Sequence, residues 1–303
     1  MLDVKELSKS FKDVKAVKHA DVHIDPGEIV GLVGPNGAGK TTLIKCICTI
    51  LNADSGSIEI SGHDMYQEPV EAKRKIAYIP EVPNPYEYLT VWEHIEFSYR
   101  AYQLGIRDPE DTSGTGNVGW EEKADKYLEM FNLTDKKFSL SSTLSKGQKQ
   151  KLQIICGFIH DPDLVFMDEP LIGIDPEGAH AMKELIREHN SRGSSFLISS
   201  HMLGLIEELC TSILVMQEGR IVWQGEIEDL KGAERGGNLE EAFLQITRPA
   251  RSTVEDAFEN GKAPVRPSLR NLFSRKKLNR LKETQSSHEP SVDPGKKCEP
   301  GAP

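Results

Sequence analysis

The stretch "EIVGLVGPNGAGKTTLIKCICTIL", Glu28 to Leu51, decides the fold class. A short apolar run is followed by a glycine-rich turn, and the turn by a helical pattern. Within it, Gly34 to Thr41 matches G-x-x-x-x-G-K-[ST] at every fixed position. Each residue type has a physical reason. The glycines let the backbone curl until its N–H groups face a phosphate. The helix that follows adds partial positive charge at its start. Lys40 places a cation on the outer phosphates, and Thr41 offers a hydroxyl to Mg²⁺. The expected nucleotide-binding run is Gly34, Pro35, Asn36, Gly37, Ala38, Gly39, Lys40, Thr41 and Thr42.

A second run, "DLVFMDEP", complements the first. Four apolar residues form a strand, Asp168 emerges at its end and Glu169 follows, before Pro170 stops the strand. Asp168 there can hold Mg²⁺ through water. Glu169, freed from the strict alternation of a strand, can act as general base on an attacking water.

Around these runs the chain alternates β-rich and helical segments, the pattern of a layered α/β domain. "EIVGLV", "KIAYI", "DLVFMD", "SSFLIS" and "TSILVM" are short and nearly all apolar, as strands covered on both faces should be. "VWEHIEFSYRAYQL", "EEKADKYLEMFNL" and the late "NLEEAFLQIT" read as helices, and "GIRDPEDTSGTGNVGW" between the first two reads as a surface loop. The 303 residues carry a formal net charge of -10, which disfavours a general nucleic-acid binder. No stretch approaches the roughly 20 apolar residues of a membrane span. The charged "MLDVKELSKSF" does not read as a signal peptide, so a cytoplasmic location is expected. The five cysteines match neither a zinc site nor a redox pair and are expected to be reduced.

The phosphate loop alone admits many enzyme classes. "TLSKGQKQKL", Thr143 to Leu152, narrows them. Leu144-Ser145-Lys146-Gly147-Gln148 resembles the L-S-G-G-Q signature of ABC-type ATPases, with Lys146 in place of a glycine. Other parts follow in that family's order. "EPLIGIDP" resembles the D-loop, with Asp175; His201 follows the strand "SSFLISS" as the switch histidine does; Phe11 stands where the family stacks an aromatic on adenine. The resemblance covers residues 2 to about 246.

It implies a P-loop NTPase of the ABC-ATPase fold: an α/β, RecA-like core, an antiparallel β subdomain and an inserted helical subdomain. The domain is expected over residues 1–247, its helical subdomain over about 82–158. The implied activity is ATP hydrolysis with Mg²⁺. Lys40, Glu169 and His201 are the catalytic candidates, and Thr41, Asp168 and Glu81 the metal candidates. Ser145, Lys146, Gly147 and Gln148 would contact the ATP of a second subunit, identical or different, in a head-to-tail dimer. A membrane-spanning permease is the implied partner, with the chain peripheral on the cytoplasmic face. The order of parts is most similar to ATPases of ABC-2-type exporters. A soluble ABC-type ATPase acting on ribosomes or nucleic acid is the alternative. About a hundred residues separate the phosphate loop from the signature, too few for the long coiled coil of genome-maintenance members at about 1.5 Å per helical residue.

Two segments complete the reading. In "AYIPEVPNPYEYLT", Ala77 to Thr90, three prolines form a stiff elbow where the family's Q-loop lies, and Glu81 holds the place of the expected glutamine. Glu81 and Asp175 are the expected coupling residues. Residues 248–303 form a basic tail, expected to be mostly disordered; Lys262 to Lys282 contains no acidic residue. Three readings of it stand side by side: a solvated appendage, a contact with an anionic membrane, or a site for RNA or a partner.

Overall fold

The structure is a computed structural model that describes residues 1–103, 119–232 and 238–247. The tail and nearly all of the loop expected at 105–120 lie outside the described residues.

The five apolar runs become five strands of one sheet: β3 Ile29–Val33, β6 Ile76–Ile79, β7 Leu164–Asp168, β8 Ser195–Ser199 and β9 Ser212–Gln217. β10, Arg220–Glu226, extends it as an antiparallel edge. The order is β10-β9-β3-β8-β7-β6, and the five named first are mutually parallel. Alternation splits each strand between two cores. Val30, Leu32, Leu164, Phe166 and Leu197 face one cluster; Val33, Val165, Met167, Phe196 and Ile198 face the other. Every residue of β3, β7 and β8 is buried, which explains the apolar run at the centre of each.

The first cluster is closed by α1, Lys40–Ile47, and by a second sheet of antiparallel strands: β1 Leu2–Phe11, β2 Val14–Ile24, β4 Ser55–Ile60 and β5 His63–Asp64, in the order β2-β1-β4-β5. The second cluster is closed by helices. α3 Val91–Gln103, α4 Trp120–Met130 and α5 Lys146–Phe158 lie on the chain between β6 and β7; α6 Pro176–Ser191, α7 Leu203–Leu209, α8 Ile227–Gly232 and α9 Leu239–Thr247 come later. The short α2, Pro69–Arg74, precedes β6. The late run "NLEEAFLQIT" is thus helical as expected, with Leu239 and Ala242 buried.

No helix among the described residues is long and apolar enough to cross a membrane. Cys46, Cys48, Cys156 and Cys210 are buried free thiols. Burial pushes the thiols of Cys156 and Cys210 up to about 12, so they act as small apolar groups.

The elbow holds no regular element between Ile79 and Val91, yet it is pinned. The Tyr86 N–H donates to Nε2 of the buried His94 at 3.0 Å, and Ser141 donates its N–H and hydroxyl to the Leu89 carbonyl. Its last residue starts α3 with a reciprocal cap. The Thr90 N–H donates to Glu93 Oε2 at 2.8 Å, and the Glu93 N–H donates to Thr90 Oγ1 at 3.2 Å.

Candidate functional site

Parallel strands deliver their C-terminal ends to one edge, and ligands in open α/β sheets bind there. Here β3 ends in the phosphate loop, β7 in Asp168, β8 in Ser199 and β6 leads to Glu81. A cavity of about 810 Å³ opens at this edge. It is lined by Asn36 to Thr42, Glu81, Asp168, Glu169 and His201, together with Lys15, Lys18, Glu218 and Gly219.

The loop is shaped by steric exclusion. Gly39 has φ 107, and a Cβ there would lie 2.3 Å from the Ala16 carbonyl oxygen. Gly39 is also the N-cap of α1 and offers no capping side chain. The first-turn N–H groups of α1 are therefore left for an anion. The Lys40 ammonium is buried over the loop and donates to the Gly34 carbonyl at 2.7 Å. Burial pulls it below the ordinary lysine value, against the opposing pull of Glu169, Asp168 and Glu81.

Asp168 is buried. Oδ1 accepts from the Ser199 hydroxyl at 2.6 Å, while Oδ2 is buried with no hydrogen-bond partner. A carboxylate with one oxygen fixed and one orphaned fits an oxygen-seeking cation or its bound water. Thr41 lies on the same lining. Among the described residues no group of three His, Cys, Asp or Glu could hold a metal unaided. Mg²⁺ suits such a place, since it takes one or two carboxylates and completes its shell with waters and substrate phosphates.

Glu169 has φ 48, a left-handed backbone at the end of β7. That conformation costs a non-glycine residue of order 1 kcal/mol. Its N–H donates to the Ser199 carbonyl at 3.1 Å and to Ser199 Oγ at 3.2 Å, which holds the turn. The side chain meets His201: Nδ1 donates to Oε2 at 2.8 Å, because a carboxylate only accepts. His201 is half exposed, and its other ring nitrogen is not engaged by Glu169.

Other expected residues lie elsewhere. Phe11 ends β1 at the hairpin to Val14, is exposed, and is not part of the cavity lining; Val14, Lys15 and Ala16 are. Ser145, Lys146, Gly147 and Gln148 also lie outside that lining and form the start of α5. Ser145 and Gln148 form a capping box. The Gln148 N–H donates to Ser145 Oγ at 3.2 Å, and the Ser145 N–H donates to Gln148 Oε1 at 2.9 Å. Gly147 is required by contact, since a Cβ would sit 2.6 Å from the Gly173 carbonyl oxygen. Asp175 caps α6, accepting from the Gly178 N–H at 2.7 Å, and pairs with the nearly buried Lys151 at 2.8 Å. The Lys151 hydrogen bond, then that of Gly178, lowers its carboxyl from the usual range.

Sequence reasoning missed Ser199 and the tip of the β9–β10 hairpin. The Gly219 N–H donates to the Ala38 carbonyl at 2.9 Å, and its carbonyl accepts from the Lys18 N–H at 2.7 Å, tying the phosphate loop to β2. Glu218 and Gly219, both at positive φ, carry the signal of a tight hairpin turn. Nothing local says that the turn meets the phosphate loop.

A family profile described as "ABC transporter" matches residues 17–172. The chain is 31% identical over 250 residues to the ABC-type transporter ATP-binding protein EcsA of Bacillus subtilis, covering 82% of this chain and 97% of that protein. It is 28% identical to the Nod factor export ATP-binding protein I of Cupriavidus metallidurans, covering 84% of this chain and 80% of that protein. A solved structure of an ATP-binding subunit of an ABC transporter aligns with TM-score 0.74 at 33% identity, covering 81% of this chain and 99% of that chain.

Proposed function

The chain belongs to the ABC transporter family of ATP-binding proteins, and from that premise we propose that it hydrolyses ATP in a head-to-tail dimer to drive export through a separate membrane-spanning partner. One observation carries the dimer reading. The phosphate loop, Asp168, Glu169 and His201 share one cavity, while Ser145–Gln148 lie outside its lining. Those signature residues then act on the nucleotide of a second subunit.

The geometry of the cavity supports the roles given to its lining residues. The α1 N-terminus and Lys40 bind the phosphates. Thr41, the unpartnered oxygen of Asp168, and Glu81 would hold Mg²⁺, which would supply neutralisation of charge on the phosphate oxygens. Glu169 takes the proton of the attacking water. His201 holds Glu169 in place through Nδ1 and turns its other ring nitrogen toward the γ-phosphate. Phe11, exposed at the end of β1 three residues before the lining residue Val14, is assigned to stack on the adenine. In the closed dimer, Ser145 and Gly147 contact the γ-phosphate, so ATP favours the closed state and its loss favours the open one.

We place the helical subdomain at about residues 82–158. The partner docks beside it, in a recess of about 590 Å³ lined by Ile50, Val70, Tyr78 and Tyr102. The Thr49 and Tyr78 hydroxyls are buried near it without partners, which supports an incoming polar group. Through this partner the chain sits on the cytoplasmic face of the membrane. The export direction is supported by the likeness to the Nod factor export protein. The basic tail adds affinity for anionic membrane and is dispensable for hydrolysis.

The test is Glu169→Gln. The variant is expected to bind ATP and lose at least about a hundredfold in turnover, the usual worth of a general base. Wild-type turnover in this variant would overturn the assignment.

A further inference from the structure

Gln150 sits on the second turn of α5, fully buried. Its Nε2 donates to the Pro80 carbonyl at 3.1 Å. Pro80 is the first residue of the elbow, directly before Glu81, which faces Lys40 and Asp168 across the cavity. The other end of the Gln150 amide, Oε1, is buried with no hydrogen-bond partner. A buried unpaired carbonyl costs free energy. Were the site there for packing alone, a leucine or methionine would fill it without that cost. The amide is therefore retained for its donor, and the donor's target is the backbone that carries Glu81.

The setting strengthens this. β6 is the edge strand of its sheet, so no further strand holds the chain where it leaves at Pro80. Proline has no N–H with which to fix itself. α5 begins at the signature, its N-terminus closed by the Ser145–Gln148 box. The residue after Gln150, Lys151, is bound to Asp175. One helix thus carries the signature at its tip, holds the elbow through Gln150 and holds the start of α6 through Lys151.

We propose that Gln150 is a positioning residue for Glu81, fixing the elbow to the signature helix so that the two move together. The proposal rests on the role given to Glu81 in the functional reading. It makes Gln150 the mechanical link between a chain's own nucleotide site and the signature it presents to the other subunit.

Gln150→Met keeps the volume, removes the donor and the unpaired carbonyl, and leaves the half-buried Pro80 carbonyl to pair with water, so that gain and loss offset. Its melting temperature is expected within about 3 °C of wild type, as for a change near neutral in stability. At the same time kcat falls about tenfold with KM for ATP within about twofold, the mark of an interaction that matters to the reacting state alone. Amide hydrogen exchange across residues 81–90 accelerates, a readout that needs no turnover. Gln150→Glu adds a pH signature. A buried carboxyl is protonated more readily than an exposed one, and once protonated it can donate to Pro80. The ratio of its kcat to that of wild type should therefore rise as pH falls. Unchanged kcat and unchanged exchange in Gln150→Met would overturn the proposal. So would a joint fall of kcat and melting temperature with no faster exchange in the elbow, the signature of packing. Failure of the wider reading looks different: full turnover in Glu169→Gln, with the elbow still loosened by Gln150→Met.

Discussion

Two helices that the proposed function directs at the same chemical group begin in opposite ways. α1 starts at Gly39 with no capping side chain, and its lysine is buried. α5 starts at Ser145 with both partners of a capping box in place, exposed, with Lys146 as its first residue. An uncapped, sheltered helix start offers its N–H groups to an anion before any ligand arrives. A self-capped, exposed one is already satisfied; its Ser145 hydroxyl accepts from the Gln148 N–H and keeps its own hydrogen to give. On the proposed reading, the first binds nucleotide within one subunit, and the second adds a contact that counts when two subunits meet, as a reversible closure requires.

The contrast breaks first at Lys40. Lys40→Met should lower turnover by about 10²–10³-fold, the scale of losing one preorganised electrostatic group. Steady-state hydrolysis at saturating ATP checks this, and a change below tenfold would mean that the uncapped helix start suffices. Gly147→Ala comes next. Its new Cβ meets the Gly173 carbonyl oxygen at 2.6 Å. Chemical denaturation should show a loss of about 1–3 kcal/mol, the range for overpacking. Ser145→Ala removes one half of the box on α5 and should cost about 1 kcal/mol. ATP affinity of the single subunit should stay unchanged in a titration; a weakened affinity would place the signature in the chain's own site. Lys146→Ala is the smallest and has the opposite sign. A cation at a helix start is unfavourable by about 0.3–1 kcal/mol, so stability should rise slightly while ATP-dependent association becomes less sensitive to salt.

How much of this was legible in the sequence depended on the range of the interaction. β3, β6, β7, β8 and β9 were legible because strands covered on both faces carry an apolar run at their centre. The phosphate loop, Asp168, Glu169 and His201 were legible because each lies at or just past the end of such a strand, and parallel strands bring their ends together. The antiparallel sheet came from family resemblance alone. Its β1 and β2 are interrupted by irregular register, with Glu6 and His19 at positive φ, and carry charges throughout. Ser199, the Glu218–Gly219 turn and Gln150 were missed because their partners lie far along the chain: 31 residues for Ser199 with Asp168, 70 for Gln150 with Pro80. The capping boxes at Thr90–Glu93 and Ser145–Gln148 are local and could have been read. At Ser145 the S-x-x-Q box and the signature occupy the same four residues.

The central claim, that the two helix starts serve the nucleotides of different subunits, is tested most directly by mass and stoichiometry together. Light scattering with bound-nucleotide counting should be run on Glu169→Gln and on Glu169→Gln combined with Ser145→Arg, each with Mg²⁺ and ATP. The account predicts a dimer for the first and a monomer for the second, with ATP bound to every chain in both. A dimer that persists in the second, or ATP binding lost with it, would contradict the account.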